Sequence, residues 1–245
     1  MEVKLDQHMM VDKAVIRKIV GFAAIKSGDR ILEIGGGGGN LTRELASKSN
    51  DLIVIEIDKK YEGELKRIKN TKVIIGNALD LIDDLKFDRL VSNIPYAICE
   101  PLMGKLIEKE FKLAVLTVPK GFAEIITSNK AKTGIIANAC FDVEVLLDVP
   151  AKAFEPPPRT DSVIVKLVPI AGKSLQKEVM KRRKLKVKNA IMRALFVARK
   201  MTKNQARKAI KSLKLNNNLL EKRLFEADLK ELGAVLKSLG SLKKH

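Results

Sequence analysis

Five consecutive glycines, Gly35–Gly39, stand between an apolar run ending at Ile34 and an amphipathic pattern beginning at Asn40. Glycine is a poor residue for the interior of a helix or strand. It is at home where the backbone must take unusual angles or come close to another group. A flexible linker would not be flanked by a buried strand and an amphipathic helix. The run therefore predicts a strand–loop–helix unit, the opening of a parallel sheet with helical crossovers. The rest of the first 170 residues agrees. β-rich runs at 30–34, 52–57, 72–75, 87–91 and 113–118 alternate with helical patterns at 11–24, 40–47, 102–109 and 122–128. Runs at 141–149 and 162–168 are joined by a Pro-rich loop with no room for a helix, so they should pair antiparallel. The expected fold class is α/β, with a doubly wound, mostly parallel seven-stranded sheet.

Pro169 to Gly172 reads as a linker, and beyond it the patterns are helical only. Leu185, Ala190, Ile191, Ala194, Leu195 and Ala198 form one apolar stripe; Ala206, Ala209, Ile210 and Leu213 form another. Stripes at this spacing mean packed helices. Two domains follow, 1–170 and a small all-helical 171–245. The net charge of +18 is unequally shared between them. Residues 171–245 hold 22 Lys and Arg against 5 Asp and Glu, a balance of +17, leaving +1 for the rest. Positive charge focused in this way points to a polyanion, most simply nucleic acid. No apolar stretch reaches membrane-spanning length. The N-terminus lacks a signal-peptide core. Cys99 and Cys140 fit no metal spacing and read as buried reduced thiols. We expect no metal and no membrane, a cytoplasmic location and a monomer.

The glycine loop admits two cofactor classes. A dinucleotide-binding loop wants a third glycine where this chain has Asn40. The alternate glycines Gly35, Gly37 and Gly39 instead suit S-adenosylmethionine, which carries no phosphate. Glu56 lies 21 residues after Gly35, at the end of the second strand, where a carboxylate can accept both ribose hydroxyls. Asp58 is a second candidate for that role. Asn77 and Ala78 follow the third strand. The Asn77 amide offers a carbonyl and a donor to an adenine edge.

Asn93-Ile94-Pro95-Tyr96 follows the buried run Leu90-Val91. It presents an amide, a carbonyl fixed by a rigid ring, and an aromatic face. That set suits a base with an exocyclic amine. The Asn93 side-chain oxygen and the Pro95 carbonyl would accept the amine's two hydrogens and free its lone pair. Tyr96 would stack on one face of the base and Phe154 on the other. The base must first leave its stack. Lys152, Arg159 and the dense run Lys181, Arg182, Arg183 and Lys184 would hold phosphates.

These motifs, in this order, resemble the ribosomal RNA adenine N6,N6-dimethyltransferases over about residues 5–168. Gln7 and His8 look like that family's N-terminal cofactor segment. The stretch from Phe154 to Ser162 looks like its late Pro-rich motif. Pro101-Leu102 is similar to the small-subunit branch. Asp6, Met9 and Asn77 depart from the family's usual Gly, Phe and Asp. The resemblance implies a Rossmann-like class I methyltransferase fold and S-adenosylmethionine as cofactor. It implies dimethylation of adjacent adenosines near the 3′ end of small-subunit rRNA, within a pre-ribosomal particle and coupled to small-subunit biogenesis. Two other readings stay open: an assembly factor acting mainly by binding, and an adenine N6-methyltransferase of large-subunit rRNA or DNA. High Lys content with only three Gln points to a hot habitat, such as an archaeal or thermophilic source.

Overall fold

The computed structural model describes residues 8–170 and 174–242. Gln7 lies outside the described residues. The chain divides into two compact units. One comprises the described residues up to Glu124 together with Val143–Pro169; the other comprises Ile125–Asp142 together with the described residues from Ile170. One division falls between Pro169 and Ile170, and the rest of the linker read at 169–172 lies outside the described residues. The grouping of 125–142 with the C-terminal helices is a tertiary fact that composition does not signal.

In chain order the first unit begins with β1 (Met9–Met10), α1 (Lys13–Phe22), β2 (Ile31–Ile34), α2 (Asn40–Ala46) and β3 (Leu52–Glu56). It continues with α3 (Glu62–Lys66), β4 (Thr71–Ile75), α4 (Ala78–Leu81), β5 (Arg89–Asn93), α5 (Cys99–Leu106), β6 (Leu113–Pro119) and α6 (Lys120–Ile126). Helix α7 (Lys132–Cys140) precedes β7 (Phe141–Val149), β8 (Phe154–Glu155) and β9 (Ser162–Pro169). The main sheet has seven strands in the order β4-β3-β2-β5-β6-β9-β7. Strands β2 to β6 run parallel, and β9 runs antiparallel to β6. Strands β2 and β3 are wholly buried, as their mostly apolar sequences require in a sheet covered on both faces; Glu33 within β2 and Glu56 at the end of β3 are the exceptions in type and are buried too.

Strand order reverses between β2 and β5. Open α/β sheets bind ligands at such a point, beyond the carboxyl ends of the strands. The glycine loop, Glu56, Gly76-Asn77 and Asn93 all lie at those ends. A second, two-stranded ribbon pairs β1 with β8, setting Met10 opposite Phe154 and Met9 opposite Glu155. Neither of its strands is long enough to leave a periodic signal. Helix α5 was expected from Leu102 but starts at Cys99, because Pro101 sits in its first turn, where no backbone donor is needed.

The second unit is helical. After α7 come α8 (Leu175–Met180), α9 (Val187–Arg199), α10 (Lys203–Ser212), α11 (Asn217–Glu221) and α12 (Leu229–Ser241). Val187, Ala190, Ile191, Ala194 and Leu195 form the buried stripe of α9, and Leu232, Val235, Leu236 and Leu239 that of α12. Capping boxes start α10 at Thr202–Gln205 and α12 at Asp228–Glu231. Gly134 of α7 lies so close to the end of α6 that an added Cβ would stand 1.9 Å from the Ser128 carbonyl oxygen.

Candidate functional site

A cleft of about 230 Å³ opens at the strand-order reversal. It is lined by His8, Gly35, Gly37, Glu56, Asn77, Ala78, Asn93, Pro95 and Tyr96, residues expected from the sequence to act together. Gly39 sits just outside the lining. It is the left-handed residue that launches α2 (φ 78°), and a side chain there would strike Ile68. Gly35 and Gly37 also have positive φ, 79° and 48°. Gly36 is required by close packing instead, since an added Cβ would stand 2.6 Å from Val54 Cγ1.

The Glu56 carboxylate is buried and already organises the loop. Gly37 N–H donates to Oε2 at 2.8 Å, and Asp58 N–H donates to Oε1 at 2.8 Å. Each oxygen keeps a second acceptor site for a ligand hydroxyl. Asp58 is occupied differently, capping a short turn through Lys60 N–H and pairing with the Lys60 ammonium. Asn77 caps α4: its Oδ1 accepts from Leu79 N–H at 3.0 Å. The carbonyl expected to face an adenine amine is thus engaged by its own helix, and the amide donor is the part of Asn77 best placed to bind.

Asn93 ends β5 with its amide fixed at one side only. Nδ2 donates to the His8 carbonyl at 2.9 Å, which turns Oδ1 inward, buried and without a partner. A buried acceptor of this kind carries a cost that a bound donor relieves. The Pro95 carbonyl accepts from Ile98 N–H at 3.0 Å and, weakly, from the Cys99 thiol at 3.9 Å. The Tyr96 hydroxyl shares a short hydrogen bond with the buried Ser162 hydroxyl, and its ring lies 5.7 Å from that of His8. His8 is further held through Nδ1 and the Pro156 carbonyl, 2.8 Å apart.

Phe154 is placed otherwise than expected. It is 3% exposed, packs in the core with Met10 and Ile19, and is absent from the cleft lining. Pairing of β8 with β1 turns its ring inward, so it offers no stacking face as it stands. Among the lining residues that the sequence reading did not assign to the site, three stand out. Ile57 is 52% exposed, an apolar surface at the lip beside Glu56; its signal was an apolar residue between two acids at a strand end. Asn40 ties the loop to β1 by donating to the Met10 carbonyl. Glu33, inside β2, is 1% exposed with Oε2 unpartnered. Burial pushes its carboxyl up to about 8, the Thr42 hydroxyl opposing and Glu56 adding to the shift.

A family model described as ribosomal RNA adenine dimethylase matches residues 1–230. The chain belongs to the ribosomal RNA adenine dimethylase family. One relative, the probable ribosomal RNA small subunit methyltransferase A of Methanococcus aeolicus, is 30% identical, with 96% of this chain and 95% of that protein covered. The protein of the same name from Methanosarcina barkeri is 36% identical over 67% of this chain but only 60% of its own length. Several of these relatives are thus matched over less than two thirds of their length. Among solved structures, a dimethyladenosine transferase from Plasmodium falciparum superposes with a TM-score of 0.65 at 28% identity, covering 95% of this chain and 98% of that one. The 23S rRNA methyltransferase ErmE shares the fold, with a TM-score of 0.63 at 20% identity over 95% of this chain and all of that one.

In this adenine dimethylase-family chain, Lys152 and Arg159 are exposed on the segment whose Pro156 carbonyl meets His8. The densest cation run is partly neutralised. Arg182 pairs with Glu178 at 2.6 Å, and Lys181 approaches the same carboxylate at 3.6 Å. Arg183 is half-buried and Lys184 is exposed. Cys99 and Cys140 are buried free thiols, which burial pushes up to about 12. Among the described residues no helix is long and apolar enough to cross a membrane, and no cluster of His, Cys, Asp and Glu is arranged to hold a metal.

Proposed function

We propose that this protein transfers methyl groups from S-adenosylmethionine to N6 of adenosines in small-subunit rRNA, two to each of the adjacent adenosines near the 3′ end. The observation that carries this reading is the buried, unpartnered Oδ1 of Asn93 at the mouth of a glycine-loop cleft. An acceptor held there by the His8 carbonyl is matched by a donor such as an exocyclic amine. The family membership and the names of the relatives support the same substrate.

The residues present fit the cofactor. Glu56 offers acceptor sites to a ribose diol, and the Asn77 amide and Ala78 N–H face the place of an adenine edge. The apolar Ile57 supplies a surface for its ring, while His8 and the Gly35–Gly37 backbone close the other end. The unpartnered Glu33 oxygen is available to a cationic group. The cofactor supplies a sulfonium-bound, electrophilic methyl group.

On the substrate side, a flipped adenine stacks on Tyr96. Such stacking is worth about 1–3 kcal/mol per base. Asn93 Oδ1 and the Pro95 carbonyl accept from N6, the carbonyl exchanging its weak contact with the Cys99 thiol for the amine. This would favour a pyramidal nitrogen with its lone pair freed from the ring, ready for an electrophilic methyl group supplied by the cofactor. Positioning and electrostatics carry the acceleration. No strong base is required, because the amine proton becomes acidic once the methyl has transferred. The basic helical region holds rRNA phosphates, and the enzyme works as a cytoplasmic monomer on a pre-ribosomal small subunit.

The test is direct. Immature small subunits, large subunits and DNA are incubated with the protein and labelled S-adenosylmethionine, then digested and analysed by mass spectrometry. Dimethyladenosine confined to small-subunit rRNA is expected. Its absence, with cofactor binding intact, would overturn the assignment.

A further inference from the structure

The cations of the helical unit are not equivalent. Glu178 and Glu221 bracket residues 179–220, a stretch with no Asp or Glu at all. The two bracketing acids serve its beginning: Glu178 pairs with Lys181 and Arg182, and Glu221 pairs with Lys186 and Lys188. Helix α10 lies beyond their reach. Its exposed face presents Lys203, Arg207, Lys208 and Lys211, none of which pairs with a carboxylate among the described residues. Three of them, Lys203, Arg207 and Lys211, recur at four-residue spacing and so form one line along the helix.

We propose that the outer face of α10 is a phosphate-binding surface for double-helical RNA, additional to the 181–184 run. The proposal rests on the rRNA reading above. Charge complementarity selects a polyanion. The face carries no aromatic side chain, so it has nothing on which unpaired bases could stack. Double-helical RNA is held mainly through its shape and its backbone, which is what ammonium and guanidinium groups alone can grip. A membrane surface is disfavoured by the other side of the helix. The apolar face of α10, Ala206 and Ile210, is buried in the protein and unavailable for insertion into a bilayer.

The test uses the full chain and two four-site variants that remove equal charge. One carries Lys203→Gln, Arg207→Gln, Lys208→Gln and Lys211→Gln. The control carries Lys18→Gln, Lys48→Gln, Lys69→Gln and Lys72→Gln, all exposed on the other unit. Affinity is measured against salt for a fully paired RNA hairpin, for oligouridine of equal length, and for phosphatidylserine vesicles. Each lost phosphate contact should lower the log–log salt slope by about one. The α10 variant is expected to lose at least about two in slope for the hairpin and about tenfold or more in affinity near 0.15 M salt. The control should keep the wild-type slope, and S-adenosylmethionine binding should be unchanged in both. Equal losses in the two variants, an unchanged hairpin slope in the α10 variant, or a loss confined to oligouridine or vesicles would each overturn the proposal. Failure of the wild-type protein to methylate small-subunit rRNA would instead overturn the reading on which it rests.

Discussion

A single amide illustrates how this site is prepared. Asn93 has one hydrogen-bonding end satisfied by the His8 carbonyl and the other left bare. Replacing it by Ala removes the acceptor and should cut methyl transfer roughly 10²–10³-fold, the usual cost of losing one preorganised polar group at a reacting centre. Cofactor affinity, read by calorimetry, should change far less. Asn93→Asp should not restore turnover, because a carboxylate would face the His8 carbonyl with no donor between them. Recovery of near-normal rates in the Asp variant would refute this account of the amide. Glu33 makes a second prediction at this scale. Its carboxyl is raised to about 8 in the fold from the ordinary 4.5. Between those values the folded protein holds a proton that the unfolded chain has released. Stability of the cofactor-free protein should therefore fall as pH rises from about 5 to about 8. Glu33→Gln keeps the shape and removes the titration, so its urea midpoint should vary less over that interval. Parallel curves for the two proteins would exclude Glu33 as the source.

Among the elements, the glycine loop shows how much could be read beforehand. Its place between β2 and α2, the position of Glu56 at the end of β3 and the grouping of Asn93 with Tyr96 were all legible, because each depends on local pattern and strand order. Phe154 was not. A lone aromatic beside prolines reads equally as a stacking face or as core, and only the pairing of β8 with β1 decides. The engagement of the Asn77 carbonyl by Leu79 N–H was equally hidden, since a helix of four residues has no period to detect. Glycines within the loop also differ in ways that sequence conceals. Gly36 faces Val54 across a gap with no room for a methyl group. Gly36→Ala should destabilise by about 1–3 kcal/mol in denaturant unfolding. Adding Val54→Ala should return part of that loss, whereas a second mutation that only worsened it would argue against the clash.

The molecule as a whole relies on polar groups at both ends of its sheet. At the end away from the cleft, Asp29 is buried and accepts from Lys26 N–H at 2.9 Å, from Arg89 Nε at 2.5 Å and from the Lys112 ammonium at 2.8 Å. Burial alone would raise its acid; the hydrogen bonds from Lys112, Arg89 and Lys26 outweigh that and hold it well below the usual carboxylate range. Arg89 in turn donates to the Ala23 carbonyl beyond α1. Asp29→Ala would strand a buried guanidinium and should cost about 3–5 kcal/mol by urea unfolding. A loss under about 1 kcal/mol would mean that the pair behaves like an exposed one. At the cleft end the ties run across the whole length of the first unit. His8 reaches the Pro156 carbonyl, and β1 pairs with β8 about 145 residues later. A chain synthesised from its N-terminus therefore cannot seat His8, and so cannot orient the Asn93 amide, until the segment around Phe154–Pro156 has left the ribosome. Until then the nascent chain lacks a complete cleft, which is finished only with the closing strands of its first unit.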